Sequence, residues 1–357
     1  MPIKPVRRSR NVKTRVAQIG VGYWGPNLLR ALTDNPRCEV AVVVDPEPSR
    51  RDYIQSLYPN LPVYAAADRI FADPSIEAVV IATPIETHYG LAMKALRSGK
   101  HILVEKPLAA GVAEAFRIGT LARKKSLVAM SGHTFLFNDA VRELKRIIDS
   151  GAIGDLRYVY SQRLNLGRIR SDVDALWNFA PHDVSIIQYL LDGAEPVRIS
   201  RRGMDYVQPG IQDVVFMDLV YPNKVMAHIH VSWLDPKKVR QMTVVGTKKM
   251  VVYDDMAEKK IAVFDKGIDR KAVLGQNMDY DFSNRAAFTH RSGAVEYPEF
   301  EFREPLVNEI DHFLDCVRDR MPCLTDPEHA LQVIRILSGK TLKKTVKRTA
   351  DAVSSAV

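Results

Sequence analysis

The sequence predicts an α/β Rossmann domain followed by an α+β domain with a large, mainly antiparallel open sheet. Three observations carry that expectation. Short, continuously apolar runs alternate with helix-like segments from Val16 to Gly132. A glycine triplet stands between the first run and the helix that follows it. Beyond Gly132 the runs lengthen and crowd together across tight turns. A chain of 357 residues is long enough to bury two cores.

In the first part the runs are Val16–Ile19, Val40–Val44, Ala78–Ala82, Ile102–Val104 and Leu127–Met130. Unbroken apolarity is expected of parallel strands covered on both faces. Between them lie helical patterns such as Glu86–Ser98, closed by Gly99, and Val112–Lys124. Past Gly132 a helix is expected over Asp139–Ser150, with Val141, Leu144, Ile147 and Ile148 on one side. Strands follow at Leu156–Asn165, Val197–Asp205, Asp213–Tyr221, Val225–Leu234, Val239–Gly246 and Ile261–Asp265. The short links Pro222-Asn223-Lys224 and Gly246-Thr247-Lys248 suit antiparallel pairing. One helix, His182–Leu191, interrupts the strands, and Lys266–Phe300 is periodicity-poor and reads as irregular. Two helices close the chain. Leu306, Ile310, Phe313, Leu314 and Val317 share a face of the first, and Asp326-Pro327 caps and opens the second. The expected organisation is a basic tail over 1–14, a Rossmann domain over 15–132, an α+β domain over 133–345 and a tail over 346–357. Packing of the closing helices, 304–345, back onto the first domain is the alternative.

The formal net charge of +9 raises a nucleic-acid reading, which its location argues against. Residues 1–15 carry +6 and residues 340–357 carry +4, leaving −1 for the body. A face built for duplex nucleic acid should lie on folded elements. The three cysteines, Cys38, Cys316 and Cys323, make no disulfide framework and match no zinc spacing, so no metal site is expected. No apolar run reaches the roughly 18 residues of a membrane span, and a secretory leader is not apparent; a cytoplasmic protein is expected.

The first strand runs into Gly20-Val21-Gly22-Tyr23-Trp24-Gly25, a G-x-G-x-x-G. The first glycine allows a tight turn, the second a close approach to pyrophosphate, the third close helix packing. Asp45 ends the second strand 20 residues beyond Gly25, where a carboxylate accepts hydrogen bonds from an adenosine ribose. That carboxylate would repel a 2′-phosphate, so NAD is favoured, while Arg50 and Arg51 leave NADP open. Ala82-Thr83-Pro84 and Glu105-Lys106-Pro107 stand at carboxyl ends of later strands, where such sheets bind ligands. Taken alone, Lys106 reads as a solvated lysine that marks the end of a strand before proline.

With these motifs and the later Ala180-Pro181-His182-Asp183, the sequence resembles the Gfo/Idh/MocA oxidoreductases from Val16 to about Leu337. The resemblance implies a Rossmann domain plus an open-sheet domain whose exposed face forms homo-dimers or homo-tetramers. It implies Lys106 as the catalytic lysine and His182 as the acid/base histidine. Many members carry aspartate four residues before that histidine; here Asn178 stands there, which can hold a hydroxyl but take no proton. The expected cofactor set is Gly20, Gly22, Tyr23, Trp24, Gly25, Asp45, Thr83, Pro84, His88, Glu105 and Lys106. The expected substrate set is Lys106, His133, Phe135, Asn138, Arg163, Asn165, Arg168, Trp177 and His182. Arg163 and Arg168 would clamp a phosphate and Trp177 cover a ring, against the alternative of a solvated loop. His228 and His230 share a strand face and are expected to be buried or interfacial. The implied activity is NAD-dependent oxidation of a secondary hydroxyl, foremost on a nucleotide sugar of the UDP-amino-sugar 3-dehydrogenase type. An inositol or free-sugar dehydrogenase is the alternative, and a non-catalytic dinucleotide-sensing regulator the alternative of another class. No nucleic-acid or membrane partner is expected.

Overall fold

The computed structural model describes residues 13–167, 169–272 and 286–341. These residues form two compact units. The first runs to Asn138 and is completed by Arg303–Ser338; the second is built on Asp139–Phe302.

The first unit holds a parallel sheet of β1 (Thr14–Ile19), β2 (Cys38–Val44), β3 (Val63–Tyr64), β4 (Ala78–Ile81), β5 (His101–Glu105) and β6 (Ala129–Gly132), in the order β3-β2-β1-β4-β5-β6. Helices α1 (Gly25–Thr33), α2 (Pro48–Leu57), α3 (Asp68–Ala72), α4 (Ile85–Arg97) and α5 (Val112–Lys125) connect them. β4 is Ala-Val-Val-Ile with every residue buried, as a strand covered on both faces must be. Strand order reverses between β1 and β4, and a crevice at such a reversal is where α/β sheets take ligands. β3, two residues long, is too short to be read from periodicity.

Two later helices complete this unit: α8 (Pro305–Asp319) and α9 (Pro327–Leu337). Arg37 ties α8 to the start of β2, pairing with Asp311 at 2.6 Å and with Asp315. Asn308 donates to the Phe137 carbonyl at 3.0 Å. The Asp326 carboxylate caps α9 by accepting the His329 N–H at 2.9 Å, with Pro327 at the first turn.

The second unit is an eight-stranded sheet with accompanying helices. Its elements are α6 (Asp139–Asp149), β7 (Leu156–Leu164), α7 (Ala175–Leu190), β8 (Arg198–Met204), β9 (Val214–Val220), β10 (Met226–Ser232), β11 (Val239–Gly246), β12 (Met250–Asp254), β13 (Ile261–Ala272) and β14 (Ala286–Glu296). The order is β14-β13-β12-β11-β7-β10-β9-β8, antiparallel except where β7 and β10 run parallel. Alternation fixes the faces. Val215, Met217 and Leu219 on β9, with Ala227, Ile229 and Val231 on β10, are fully buried. Asn223 and Lys224 turn β9 into β10 with φ of 60° and 62°, the left-handed pair a tight hairpin needs.

Two expectations fail here for physical reasons. The helix expected at His182–Leu191 begins at Ala175, because the Asp174 carboxylate accepts the Trp177 N–H at 2.8 Å and starts it about two turns earlier. Pro181, read as preceding the helix, lies inside it. The stretch read as irregular contains the outer part of β13 and all of β14. Arg291 pairs there with Asp265 at 2.9 Å and Asp269 at 2.6 Å. A hairpin held by ion pairs and main-chain bonds shows no apolar alternation to read. Part of that stretch, 273–285, lies outside the described residues.

Candidate active site

In the first unit the glycine loop is built as its sequence requires. Gly20 has φ +93°, and a Cβ there would lie 2.4 Å from the Ala82 carbonyl oxygen. A Cβ on Gly25 would lie 2.5 Å from the Gly20 carbonyl oxygen, so only glycine lets α1 start against the loop. At Gly22 a Cβ would meet nothing nearer than the Arg50 guanidinium, 3.5 Å away, leaving the backbone open on that side. Gln18, a fully buried polar residue in an apolar strand, donates to the carbonyls of Gly20 at 3.0 Å and Gly25 at 2.8 Å. Sequence reading missed this brace, although an amide amid Val, Ala and Ile was the available signal. The first turn of α1 carries no acidic residue, so the positive end of its dipole faces outward unneutralised.

Asp45 is buried at the end of β2. Its carboxylate accepts the Val21 N–H at 2.9 Å and the Glu47 N–H at 3.0 Å, which fixes it against the loop. These two bonds use about half of the hydrogen bonds a carboxylate can accept. Arg50 approaches it at 3.6 Å, and Arg51 donates to the carbonyls of Asp45 and Pro46. Both arginines are therefore engaged beside a carboxylate, an arrangement suited to NAD. The loop, the helix start and Asp45 together fit a dinucleotide.

At the ends of β4 and β5 the side chains interlock. Thr83 and Thr87 share a hydroxyl hydrogen bond of 2.6 Å, and Pro84 is exposed beside them. His88, expected at the cofactor, instead braces two loops from inside: its ring nitrogens lie 2.9 Å from the Pro107 carbonyl and 2.8 Å from the Thr83 carbonyl. Burial lowers its pKa, and a neutral imidazole donates to only one of the two. Lys106 is partly exposed, and its N–H donates to the Glu105 carboxylate at 3.1 Å. Burial pushes Glu105 up to about 7, opposed by Lys106 and by the Trp24 indole N–H. Trp24 thus joins the glycine loop to Glu105, while Tyr23 stands 89% exposed.

Behind Lys106 lies a buried polar cluster only partly foreseen. His133 is buried edge-on to His329, ring centroids 5.4 Å apart, and among the described residues neither of its ring nitrogens meets a hydrogen-bond partner. Burial, then His329 and Lys106, hold its pKa well below the usual histidine range. Burial lowers His329 to about 4. Glu309 is fully buried; Thr134 donates to one of its oxygens at 2.8 Å. Burial, reinforced by Glu105, raises its pKa well above the carboxylate range. Phe135 lies within the short 3-10 turn Thr134–Phe137 and Asn138 follows it, Phe135 partly and Asn138 fully buried. Glu309 was legible: it falls between Leu306 and Phe313 on the apolar face of α8.

In the second unit α7 carries Asn178 and His182 four residues apart, hence on one face, with Trp177 beside them; all three are partly exposed. Asp183, a residue further round, is buried against β7. It accepts from Ser161 at 2.7 Å and from Arg163 at 3.0 and 3.4 Å. This corrects the expectation for Arg163. Only 6% exposed, it is a buried partner of Asp183 that sets the rotation of α7, so its guanidinium is engaged inside the unit. Asn165 donates its N–H to the Ser232 carbonyl at the end of β7, and Arg168 lies outside the described residues. His228 and His230 stack against Tyr160 and Phe216 on the open face of the sheet, away from α7.

Known proteins share this arrangement. Residues 14–133 match the Gfo/Idh/MocA oxidoreductase family, NAD-binding Rossmann fold, and residues 141–252 its C-terminal domain. The NAD-dependent scyllo-inositol 2-dehydrogenase of Bacillus subtilis is 25% identical over 336 residues, 88% of this chain and 89% of that protein. A crystal structure of an oxidoreductase from Magnetospirillum magnetotacticum is 28% identical with a TM-score of 0.76, covering 92% of this chain and 99% of its own. UDP-N-acetylglucosamine 3-dehydrogenase from Acidithiobacillus ferrooxidans shares the fold, with a TM-score of 0.73 at 22% identity over 92% of this chain and 97% of its own. With the glycine loop, Glu105-Lys106-Pro107 and the open-sheet unit all in place, this chain belongs to the Gfo/Idh/MocA family of NAD-dependent oxidoreductases.

Proposed function

We propose that the protein oxidises a secondary ring hydroxyl of a free sugar or cyclitol to a ketone, using NAD. The observation that carries the choice of substrate class is the engagement of Arg163 by Asp183. A nucleotide sugar would call on Arg163 and Arg168 to clamp its phosphates, and Arg163 is already bound within its own unit. The scyllo-inositol dehydrogenase relative, similar over most of both chains, supports an unphosphorylated ring.

The glycine loop, the start of α1 and Asp45 would hold the dinucleotide, whose nicotinamide supplies the hydride acceptor when bound. The chain's own residues must handle the proton. The hydroxyl proton needs an acceptor, and the imidazole of His182, on the same face of α7 as Asn178, is the chemical type suited to take it. Lys106 polarises and positions the oxygen, and Asn178, unable to take a proton, orients it by hydrogen bond. Glu105, His88 and Trp24 hold Lys106 and the glycine loop in place. The chain assembles as a homo-oligomer through the open sheet face, which presents Tyr158, Phe216 and Met226 at 42–46% exposure. A monomer in sedimentation equilibrium would refute that assembly.

The test of substrate class is NADH formation by the purified protein with NAD against inositols, free sugars and UDP-linked sugars. Turnover on inositols or free sugars is expected. Turnover confined to UDP-linked sugars would overturn the reading and return the phosphate clamp to residues such as Arg168.

A further inference from the structure

Three residues with soft donor atoms lie in the first unit, outside the NAD site. His312 and Cys316 are one turn apart on α8 and so share a face. α8 ends at Asp319, and Arg320, in the left-handed conformation at φ 55°, reverses the chain. That reversal returns Cys323 to the same face. The donor atoms of His312, Cys316 and Cys323 all lie within 4.8 Å of one another, with the Cys316 sulfur 3.4 Å from His312 Nε2. Cys316 is fully buried, whereas His312 and Cys323 are partly exposed, so the cluster is backed by protein and open on one side.

We propose that His312, Cys316 and Cys323 form a site for a thiophilic divalent cation of the zinc class, with water completing the coordination. The donor set is the kind zinc takes, two sulfurs and an imidazole, with a fourth position left open. With Zn–S near 2.3 Å and Zn–N near 2.0 Å, tetrahedral ligands stand about 3.5–3.8 Å apart. The Cys316–His312 pair is already at that spacing, and closing the rest takes a movement of about 1 Å. Two thiolates and a neutral imidazole leave a dication with no net charge, which a half-buried site tolerates.

His312 Nε2 currently accepts the Leu324 N–H at 3.0 Å. Metal loading exchanges that hydrogen bond for a metal bond, and Leu324 moves with its neighbour Cys323. The consequence is structural. Thr325, two residues on, accepts the Ser131 N–H from β6 at 2.9 Å, and Asp326 caps α9. An ion at the cluster ties the end of α8 to the segment that holds β6 and α9. Counting cysteine spacings hides the site because its donors come as a helical i, i+4 pair plus one loop residue.

The test uses the full chain, stripped with a chelator, reduced, and titrated with Zn²⁺ alone and with Co²⁺ as a spectroscopic probe. One ion per chain is expected, with thiolate-to-cobalt charge-transfer absorption. At Zn²⁺ about 100-fold above its Kd, Tm should rise by about 5–10 °C. Cys323→Ser, at a partly exposed loop position, should keep the far-UV spectrum and NAD binding and lose the absorption and the Tm rise. No stoichiometric binding, a cobalt spectrum without charge-transfer bands, or undiminished binding by Cys323→Ser overturns the proposal.

Discussion

Glu309, Glu105, His133 and His329 illustrate how burial sets protonation behind Lys106. Each is pushed toward its neutral form, the acids upward and the histidines downward. Their effects on stability with pH are opposed. For the histidines, the folded pKa lies below the unfolded one, so their contribution is whole above about 6.5. It is lost as pH falls, for His329 toward about 4. For the acids the folded pKa is raised, so their contribution is whole below about 4.5 and is lost as pH rises, for Glu105 through about 7. Glutamine at 309 mimics the neutral acid and still accepts from Thr134. Glu309→Gln is therefore expected to unfold at a higher temperature than the parent in mildly alkaline buffer and at the same temperature below about pH 4.5. Thermal unfolding across pH checks this; a variant less stable in alkaline buffer would mean that Glu309 is ionised and paired.

Among the elements, α7 carries the strongest link from packing to function. Its exposed face bears Asn178 and His182, and its buried side is anchored by Asp183 to Ser161 and Arg163 on β7. Removing the cation leaves a carboxylate in the core with Ser161 as its remaining charge-side partner. Arg163→Met should cost about 3–5 kcal/mol of stability in urea unfolding, far more than a surface arginine would. Restoring part of that loss with Asp183→Leu in the same chain is expected; a single variant within about 1 kcal/mol of the parent would contradict the pairing. The sequence hid this anchor, since an arginine on a strand near a loop looks like a ligand-binding residue until burial is known. It hid the start of α7 as well, because Pro181 reads as a helix boundary while the Asp174 cap acts earlier. The parallel strands were legible for the opposite reason: double-sided burial writes itself as continuous apolar runs, as in Ala78–Ile81. β13 and β14, held by Arg291 and main-chain bonds, carry no such mark.

For the molecule as a whole, charge and chemistry separate. The +9 resides at the chain ends, and the body between them is close to neutral. Attraction for an anionic dinucleotide must come from placed groups, namely the start of α1 and the open backbone at Gly22. Among the described residues no helix is long and apolar enough to cross a membrane. Most of the dinucleotide half was readable because its constraints are local: Gly20 and Gly25 permit contacts that any Cβ would block. The supporting residues Gln18, Thr134, Glu309 and His329 come from four separate segments, and only folding brings them into use. The central claim is that Lys106 serves the chemistry and not the binding of NAD. The most direct measurement is steady-state NADH formation by Lys106→Met on the best substrate of the parent, with NAD affinity measured alongside. Turnover should fall by about 10²–10⁴-fold while NAD affinity stays within about twofold. A variant that turns over at the parent's rate would contradict the account.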